Sequence, residues 1–412
     1  MSIITIVTLL LSLSALFSFL NQRVLRLPSS IGVMLIAVVV SFLIMTMGKA
    51  LHLRSTYLTE LAASINFSNV LLNIMLAFLL FATAMHFDYR KLKLLRLPIV
   101  LLSTAGVLIS TAIFGLLFYW IMSFIGIDIS LRYCFLFGAT VAPTDPIAVA
   151  AILKRANMPS RLQTVISGES MFNDAVSLVL FVMLLDLTAM PQANADAGSI
   201  LTMLAAEVLG GSALGVLAGF IGYWLIRKLH DFQSIFLISV SLVLIISLVA
   251  QKLHVSVPLA AVIAGLIIGN QNYEKGHPAG KPLGRIWSLL DEVLNTILFV
   301  MIGLQLILLP LVGSYWLIGL IAVGVSLVAR AASLVLPSFF SLRKIGAGSL
   351  FLLTWAGVRG GISIAMALIL PPAPYRELVL IGCYTIVLFS ILVQGLTIGP
   401  AIRRVVGHKP EE

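Results

Sequence analysis

Three acidic residues, Asp145, Glu169 and Asp174, lie in two neighbouring apolar stretches of the chain. Asp145 belongs to the sequence Ala-Pro-Thr-Asp-Pro at 142–146, and the other two belong to Gly-Glu-Ser-Met-Phe-Asn-Asp at 168–174. A charged residue at the centre of a membrane costs about 3 kcal/mol even on the milder insertion scales, so such residues are rare and mark ion pathways. The three residues therefore indicate an ion site at membrane depth.

The composition places the chain in a bilayer. Of the 412 residues, 60% are hydrophobic and 10% are charged, and the mean hydropathy is +1.12; in a soluble domain about a quarter of the residues are charged. Windows of about 20 residues, the length that spans the hydrocarbon core, predict an all-α integral membrane protein. We expect thirteen hydrophobic segments, at about 3–20, 31–48, 69–87, 98–124, 133–153, 163–189, 200–226, 235–250, 256–270, 287–309, 315–340, 348–370 and 377–399.

The net charge of +10 does not indicate nucleic-acid binding, because of where the basic residues lie. Most of the 26 Lys and Arg residues follow odd-numbered segments, and basic residues are enriched in cytoplasmic connections. This pattern predicts an N-terminus outside the cell, a cytoplasmic C-terminus and an odd number of crossings in the plasma (inner) membrane.

Oxygen-bearing side chains surround the two central aspartates. On a helix, Ser170, Asn173, Asp174 and Ser177 share one face because they are spaced i, i+3, i+4 and i+7, and lipid cannot satisfy such a face. A hard cation such as Na⁺ prefers oxygen ligands, as Ca²⁺ and Mg²⁺ do. We expect the cation and proton to bind among Thr144, Asp145, Ser170, Asn173 and Asp174, with Na⁺ held by Asp174, Asp145, Thr144 and Ser170.

Two of the segments carry helix breakers. Pro146 interrupts segment 5, and the Trp-Ala-Gly-Val-Arg-Gly-Gly sequence at 355–361 interrupts segment 12. Segment 12 comes seven segments after segment 5. Because this offset is odd, the two segments cross the membrane in opposite directions. Equivalent broken helices of this kind are typical of inverted repeats in transporters. We therefore predict two inverted six-helix repeats with crossed discontinuous helices at segments 5 and 12.

Glu169 faces a different direction from Asp174, because five residues turn a helix by about 140° beyond one full turn. A buried glutamate needs a counter-charge, and the intramembrane cations are Arg330 and Arg359. We predict a structural ion pair between Glu169 and Arg359, with Arg330 and Pro146 in supporting positions.

These motifs resemble those of NhaP-type sodium/proton antiporters, relatives of the animal sodium/proton exchangers. The likeness rests on Thr-Asp-Pro at 144–146, the run at 168–174, Ala-Arg-Ala at 329–331 and Val-Arg-Gly-Gly-Ile at 358–362. It implies one transmembrane transport unit over residues 1–400, with the NhaA-like antiporter fold, and a short cytoplasmic tail at 401–412. It also implies a homodimer in the lipid membrane, with a dimerisation scaffold at about 1–90 and 200–310 and a mobile core at about 98–189 and 315–399.

The resemblance further implies exchange of Na⁺, and also of Li⁺, for H⁺, in the service of pH homeostasis and without a cofactor. Asp174 would carry either the cation or the proton. Relatives with two aspartates at the position of Asn173 and Asp174 are electrogenic, so the Asn-Asp pair here implies an electroneutral cycle.

One position departs from the family pattern. Several relatives have an acidic residue in segment 3, in a Leu-Leu-Phe-Glu-like setting, where this chain has Ala82. Five acidic residues are left without a role in the ion site: Asp88, Asp186, Glu207, Asp291 and Glu292. We expect Asp186, Asp291 and Glu292 to lie at interfaces or in access funnels.

Three other functions remain open from the sequence. A K⁺/H⁺ antiporter, or one for several monovalent cations, would share every feature above. An intramembrane aspartyl protease needs two close aspartates, but neither aspartate here lies in a Gly-x-Gly-Asp motif, and we expect no enzymatic activity. A passive channel would conduct without coupling Na⁺ to H⁺.

Overall fold

The computed structural model describes residues 2–50, 71–145, 152–153, 156, 158–189, 197–274, 280–309, 313–341, 347–373 and 375–406. In these ranges every regular element is a helix. Short π-helical or 3₁₀ turns extend some of them, at Asn21–Leu25, Leu71–Met75, Leu306–Leu308 and Ser390–Gln394.

The first half of the described chain contains α1 (Ile3–Leu20), α2 (Ser29–Ala50), α3 (Leu76–Met85), α4 (Tyr89–Leu94), α5 (Arg96–Ser103), α6 (Ala105–Ile125), α7 (Leu131–Thr140) and α8 (Ser160–Ala189). The second half contains α9 (Ala197–Arg227), α10 (Phe232–Leu253), α11 (Val257–Glu274), α12 (Gly280–Gln305), α13 (Gly313–Ser341), α14 (Ala347–Trp355), α15 (Gly361–Ile369), α16 (Arg376–Phe389) and α17 (Gly395–Val406).

Nine stretches of the described helices are long and apolar enough to cross a membrane. Two shorter apolar helices, α3 and α11, lie at predicted segments 3 and 9. Helices α7, α14 and α15 lie in the interrupted segments 5 and 12. The protein is therefore an all-helical membrane protein, while thirteen crossings and the inverted repeat stay predictions.

Large apolar side chains cover the outer surface as well as the interior. Phe124 is 93% exposed, and Trp120 is 75% exposed on the same helix. In a soluble protein such helices would bury their apolar residues on one side only. Their exposure here fits helices that have lipid on their outer face.

One group of helices packs around Trp287 of α12. The Trp287 ring centroid lies 4.7 Å from that of Phe81, and its Nε1–H donates to Ser239 Oγ at 3.0 Å. Helices α3, α9, α10 and α11 complete this cluster, which we call the Trp287 cluster. The satisfied indole N–H and the ring contact with Phe81 hold α12 against α3 and α10.

A second group contains α6, α7, α8, α13, α15 and α16. Helix α13 packs on α6 and α16, and α7 packs on α6 and α8. Contacts of α12 with α15 and of α8 with α11 join the two groups. Of the acidic residues singled out from the sequence, Asp145 follows α7 and Glu169 and Asp174 lie on α8, so all three belong to the second group.

Candidate functional site

The two interrupted segments meet inside the protein. Helix α7 ends at Thr140 and α14 ends at Trp355, and the residues that follow each of them are non-helical. The Asp145 N–H donates to the Val358 carbonyl oxygen at 2.6 Å. This hydrogen bond gives a backbone donor of segment 5 and a backbone acceptor of segment 12 a partner in place of the ones lost where each helix is interrupted. Pro146 lies outside the described residues.

Glycine at position 360 is required for this close approach. A Cβ atom there would lie 2.5 Å from both Cβ and Oδ2 of Asp145. Non-bonded contacts of a Cβ atom in folded proteins are longer than this. Because Gly360 has no side chain, segment 12 can pack directly against Asp145.

Arg359 binds the end of the broken helix α7. Its Nη1 donates to the carbonyl oxygens of Ala142 and, at 3.1 Å, Pro143. These carbonyls follow the last turn of the helix, where a cation is favoured by the helix dipole. The side chain is buried, with 3% of its residue surface exposed.

The predicted pair between Glu169 and Arg359 is wrong, because Glu169 pairs with Arg330. Arg330 Nη2 lies 2.9 Å from Glu169 Oε2, and Nη1 binds Oε1 in a second contact, so the pair is bidentate. Both side chains are buried. Gly357 makes room for the guanidinium, since a Cβ there would lie 2.8 Å from Arg330 Nε. Arg359 instead binds the carbonyl oxygens of Ala142 and Pro143 in segment 5.

The polar face of α8 holds the broken segment at Thr144. Ser170 Oγ donates to the Thr144 carbonyl oxygen. Asn173 Nδ2 donates to Thr144 Oγ1 at 2.8 Å, and Asn173 Oδ1 accepts from the Thr144 N–H at 3.3 Å. All three residues are buried. Both ends of the Asn173 amide are thus engaged by a single residue.

Asp174 lies on the same face but has an unpartnered oxygen. It is 7% exposed, and its Oδ1 is buried without a hydrogen bond among the described residues. A buried carboxylate without a full set of partners is costly. Such an atom needs an explanation, and a cation or a proton would supply one.

A small cavity of about 50 Å³ adjoins Asp174. One water needs roughly 10–15 Å³ by this kind of measure, so there is room for an ion with a few waters. Apolar side chains from α3, α12 and α15 form most of the wall. The polar part of the lining consists of Thr83, Thr144, Asp145, Ser170, Asp174 and Asn295.

The structure therefore brings together all five residues predicted to bind the cation or the proton. It adds two that the sequence reasoning missed, Thr83 on α3 and Asn295 on α12. Ala82, the position that departs from the family pattern, is instead buried in the Trp287 cluster. The neighbouring Thr83 is the polar residue of α3 that faces the cavity.

The remaining acidic residues have other surroundings. Asp88 caps α4 by accepting from the Arg90 N–H at 2.9 Å, Asp186 and Glu292 are exposed, and Glu207 is half-buried on α9. Asp291 accepts from Asn295 Nδ2 at 3.1 Å, which brings it next to the cavity.

We expect Gly360→Ala to lower both exchange and stability. Its methyl group would displace Asp145, and overpacking of this kind costs about 1–3 kcal/mol. Thermal unfolding in detergent and proton transport in proteoliposomes measure the two effects. The matched control is Gly324→Ala on α13, where an added Cβ meets nothing within 4 Å. Equal behaviour of the two variants would contradict the close crossing.

Comparison with known proteins identifies the family. The profile described as "Sodium/hydrogen exchanger, transmembrane" matches residues 8–404. The chain is 38% identical to the Na(+)/H(+) antiporter NhaP of Pseudomonas aeruginosa, over 99% of this chain and 98% of that protein. It is 28% identical to the K(+)/H(+) antiporter NhaP2 of Shewanella sp., over 80% of this chain and 56% of that protein.

A solved structure shares the fold. The sodium proton antiporter MjNhaP1 from Methanocaldococcus jannaschii superimposes with a TM-score of 0.76, covering 98% of this chain and 99% of that one, at 20% sequence identity. The profile match over nearly the whole length and the identity to a bacterial relative agree with the NhaP-type motifs at 144–146 and 168–174. The chain belongs to the sodium/hydrogen exchanger family of membrane antiporters.

Proposed function

We propose that this protein exchanges Na⁺ for H⁺, one for one, across the plasma membrane, with Asp174 as the carboxylate that binds either ion. The observation that carries the proposal is the buried, unpartnered Asp174 Oδ1 beside a cavity large enough for an ion. Li⁺ is a second expected substrate, since it is also a small, hard monovalent cation.

The surrounding oxygens can complete the coordination of Na⁺. A hydroxyl that donates its proton keeps its oxygen lone pairs, so Ser170 Oγ can bind the Thr144 carbonyl and the ion together. Thr144 Oγ1 accepts from Asn173 and keeps a second lone pair. With Asp174 and Asp145, these oxygens form the proposed Na⁺ site, and Asn173 supports it by holding Thr144.

The one-for-one ratio rests on Asn173. An amide does not exchange protons at physiological pH, and this one is fixed at both ends by Thr144. Asp174 is then the only group of the Asn-Asp pair whose charge can alternate between proton and cation. Each Na⁺ that binds displaces one proton, and the cycle moves no net charge.

Alternating access would arise from movement between the two helix groups. The Trp287 cluster supports the proposed scaffold at about 1–90 and 200–310, because its buried members among the described residues lie on α3 and α9–α12. The broken segments that contain Thr144 and Arg359, and helix α8 that contains Asp174, belong to the proposed core at about 98–189 and 315–399. We propose that the core moves when Asp174 is neutralised by a proton or a cation, in a homodimer whose N-terminus lies outside the cell.

Exchange of K⁺ is the second candidate. The Shewanella relative is named a K(+)/H(+) antiporter, and selectivity depends on the number and spacing of the ligands. Proteoliposomes given Na⁺, Li⁺ or K⁺ gradients in turn would separate the two functions. A K⁺ gradient that drives protons as well as a Na⁺ gradient does would favour the broader function.

Na⁺ and H⁺ are expected to compete. If both bind Asp174, the apparent Na⁺ affinity should weaken about tenfold for each unit of acidification across the range where protons occupy the site. Initial rates of Na⁺-driven proton transport, measured against Na⁺ concentration at several pH values, give this dependence. A constant apparent affinity across that range would mean that cation and proton bind at separate sites.

A further inference from the structure

The cavity beside Asp174 is lined from two sides. Thr144, Asp145, Ser170 and Asp174 come from the broken segment 5 and α8, whereas Asn295 comes from α12, which belongs to the other helix group. Asn295 is buried, with 3% of its surface exposed. It is the polar residue that α12 presents to the same cavity as the unpartnered Asp174 Oδ1.

The orientation of the Asn295 amide is fixed by Asp291, one turn earlier on α12. Asn295 Nδ2 lies 2.9 Å from the Asp291 carbonyl oxygen and 3.1 Å from its Oδ1. Both partners are acceptors, so the amide must direct its nitrogen toward them. Because Asp291 binds the nitrogen and Asn295 lines the cavity, the amide oxygen is the end of the side chain that is left for a ligand there.

Helix α12 itself is held in place by the Trp287 cluster. A second link is His86, whose ring nitrogens lie 2.7 Å from the Ala82 carbonyl oxygen and 2.9 Å from the Gly284 carbonyl oxygen. This imidazole joins the end of α3 to the beginning of α12. Asn295 is therefore placed by a helix that is itself held firmly, which fixes a ligand position more precisely than a loop would.

We propose that Asn295 supplies its side-chain oxygen to the Na⁺ bound at Asp174, and that Asp291 is the positioning residue that turns this oxygen toward the ion. The inference rests on the proposed function, since it adds a ligand to that site. An amide oxygen is a suitable ligand for a hard cation. It is also neutral, so it tightens Na⁺ binding without adding a charge to the exchange cycle.

The position of this ligand has a mechanistic consequence. Asp174 and Asn295 lie on helices of different groups, so movement of one group against the other separates them. The ion then has the amide oxygen as a ligand only in the arrangement seen here. Asn295 thus favours Na⁺ binding in this state, while Asp174 carries the ion through the cycle.

The test is the apparent KM for Na⁺ of two Asn295 variants, from proton transport in proteoliposomes at alkaline pH. Asn295→Leu removes the oxygen and is expected to raise KM about tenfold, the effect of one lost contact to a charged group, at an unchanged maximal rate. Asn295→Asp made together with Asp291→Asn keeps an amide-to-carboxylate hydrogen bond between the two positions, supplies a charged oxygen at 295 and is expected to lower KM. The matched control is Thr296→Val, because Thr296 binds the Glu292 carbonyl and is not among the cavity-lining residues.

The positioning role of Asp291 is tested by a double-mutant cycle. Asp291→Leu should raise KM when Asn295 is present and have no further effect in Asn295→Leu, because it acts only through the amide. Glu292→Leu, at the exposed neighbouring position, is the control. Additive effects would overturn the positioning role.

An unchanged Na⁺ KM in Asn295→Leu would overturn the inference. If that variant does not fold, the exchange of the two residues, Asn295→Asp with Asp291→Asn, decides, since an unchanged or weakened Na⁺ affinity there would equally overturn it. Asp174→Asn is measured beside them. Normal exchange by Asp174→Asn would defeat the proposed function itself, whereas an inactive Asp174→Asn with wild-type KM values for the Asn295 variants would defeat only the present inference.

Discussion

Asp174→Asn is expected to abolish Na⁺-driven proton transport while the protein stays folded. The substitution keeps the shape of the side chain and removes the carboxylate that exchanges a proton for a cation. Asp174 Oδ1 has no hydrogen bond among the described residues. The substitution therefore removes no hydrogen bond of this atom that would stabilise the fold. Transport in proteoliposomes, with elution volume and thermal unfolding in detergent, gives both results.

The control for this variant is Asp186→Asn, the same chemical change on the same helix at an exposed position. It is expected to exchange at the wild-type rate. Full exchange by a well-folded Asp174→Asn protein would contradict the role of Asp174. Loss of exchange in both variants would point to a general effect of charge on α8.

Glu169→Gln is expected to destabilise the protein strongly. It leaves the buried Arg330 guanidinium without its bidentate partner, and breaking a buried pair from one side costs about 3–5 kcal/mol. Arg330→Met should be similarly destabilising, because it leaves the Glu169 carboxylate buried alone. Thermal unfolding in detergent measures both losses.

The double variant Glu169→Leu with Arg330→Met, compared with the single variants Glu169→Leu and Arg330→Met, separates pairing from packing. Removing both charges should recover much of the stability lost in either single variant, since an apolar pair of similar volume often replaces a buried ion pair without loss. Arg132→Met, at an exposed position, is the control for loss of an arginine. Additive losses in the double variant would contradict the pair.

The sequence predicted the parts of the site that depend on local rules. The clusters of proline and glycine at 143–146 and 357–361 disfavour a continuous helix through local backbone geometry. The helical spacing of Ser170, Asn173 and Asp174 places them on one face. The structure brings these two features into contact through Thr144. Their functions as ligands stay predictions.

The partner of Glu169 could not be found in the same way. Arg330 and Arg359 are both intramembrane arginines far away in sequence, and helical periodicity does not say which one faces α8. The crossing of the two broken segments decides the matter, because it places Arg359 against the carbonyls of Ala142 and Pro143. This contact joins residues that are far apart in the chain, so no local sequence pattern indicates it.

Thr83 and Asn295 were missed for a related reason. Each is a single neutral polar residue in an apolar helix, and such residues usually satisfy themselves within the helix or with a neighbour. The spacing of Asp291 and Asn295, i and i+4, was the available signal. It predicts a side-chain contact but not the cavity beyond it.

The most direct test of the proposed exchange is the current that accompanies turnover, because one carboxylate, Asp174, exchanges one Na⁺ for one H⁺ in each cycle. Proteoliposomes on a solid-supported membrane should give no sustained current when Na⁺ is added, and an imposed membrane potential should leave the rate of proton transport unchanged. A steady current, or a rate that follows the potential, would mean that a second charge moves in each cycle and would contradict the exchange at Asp174 alone.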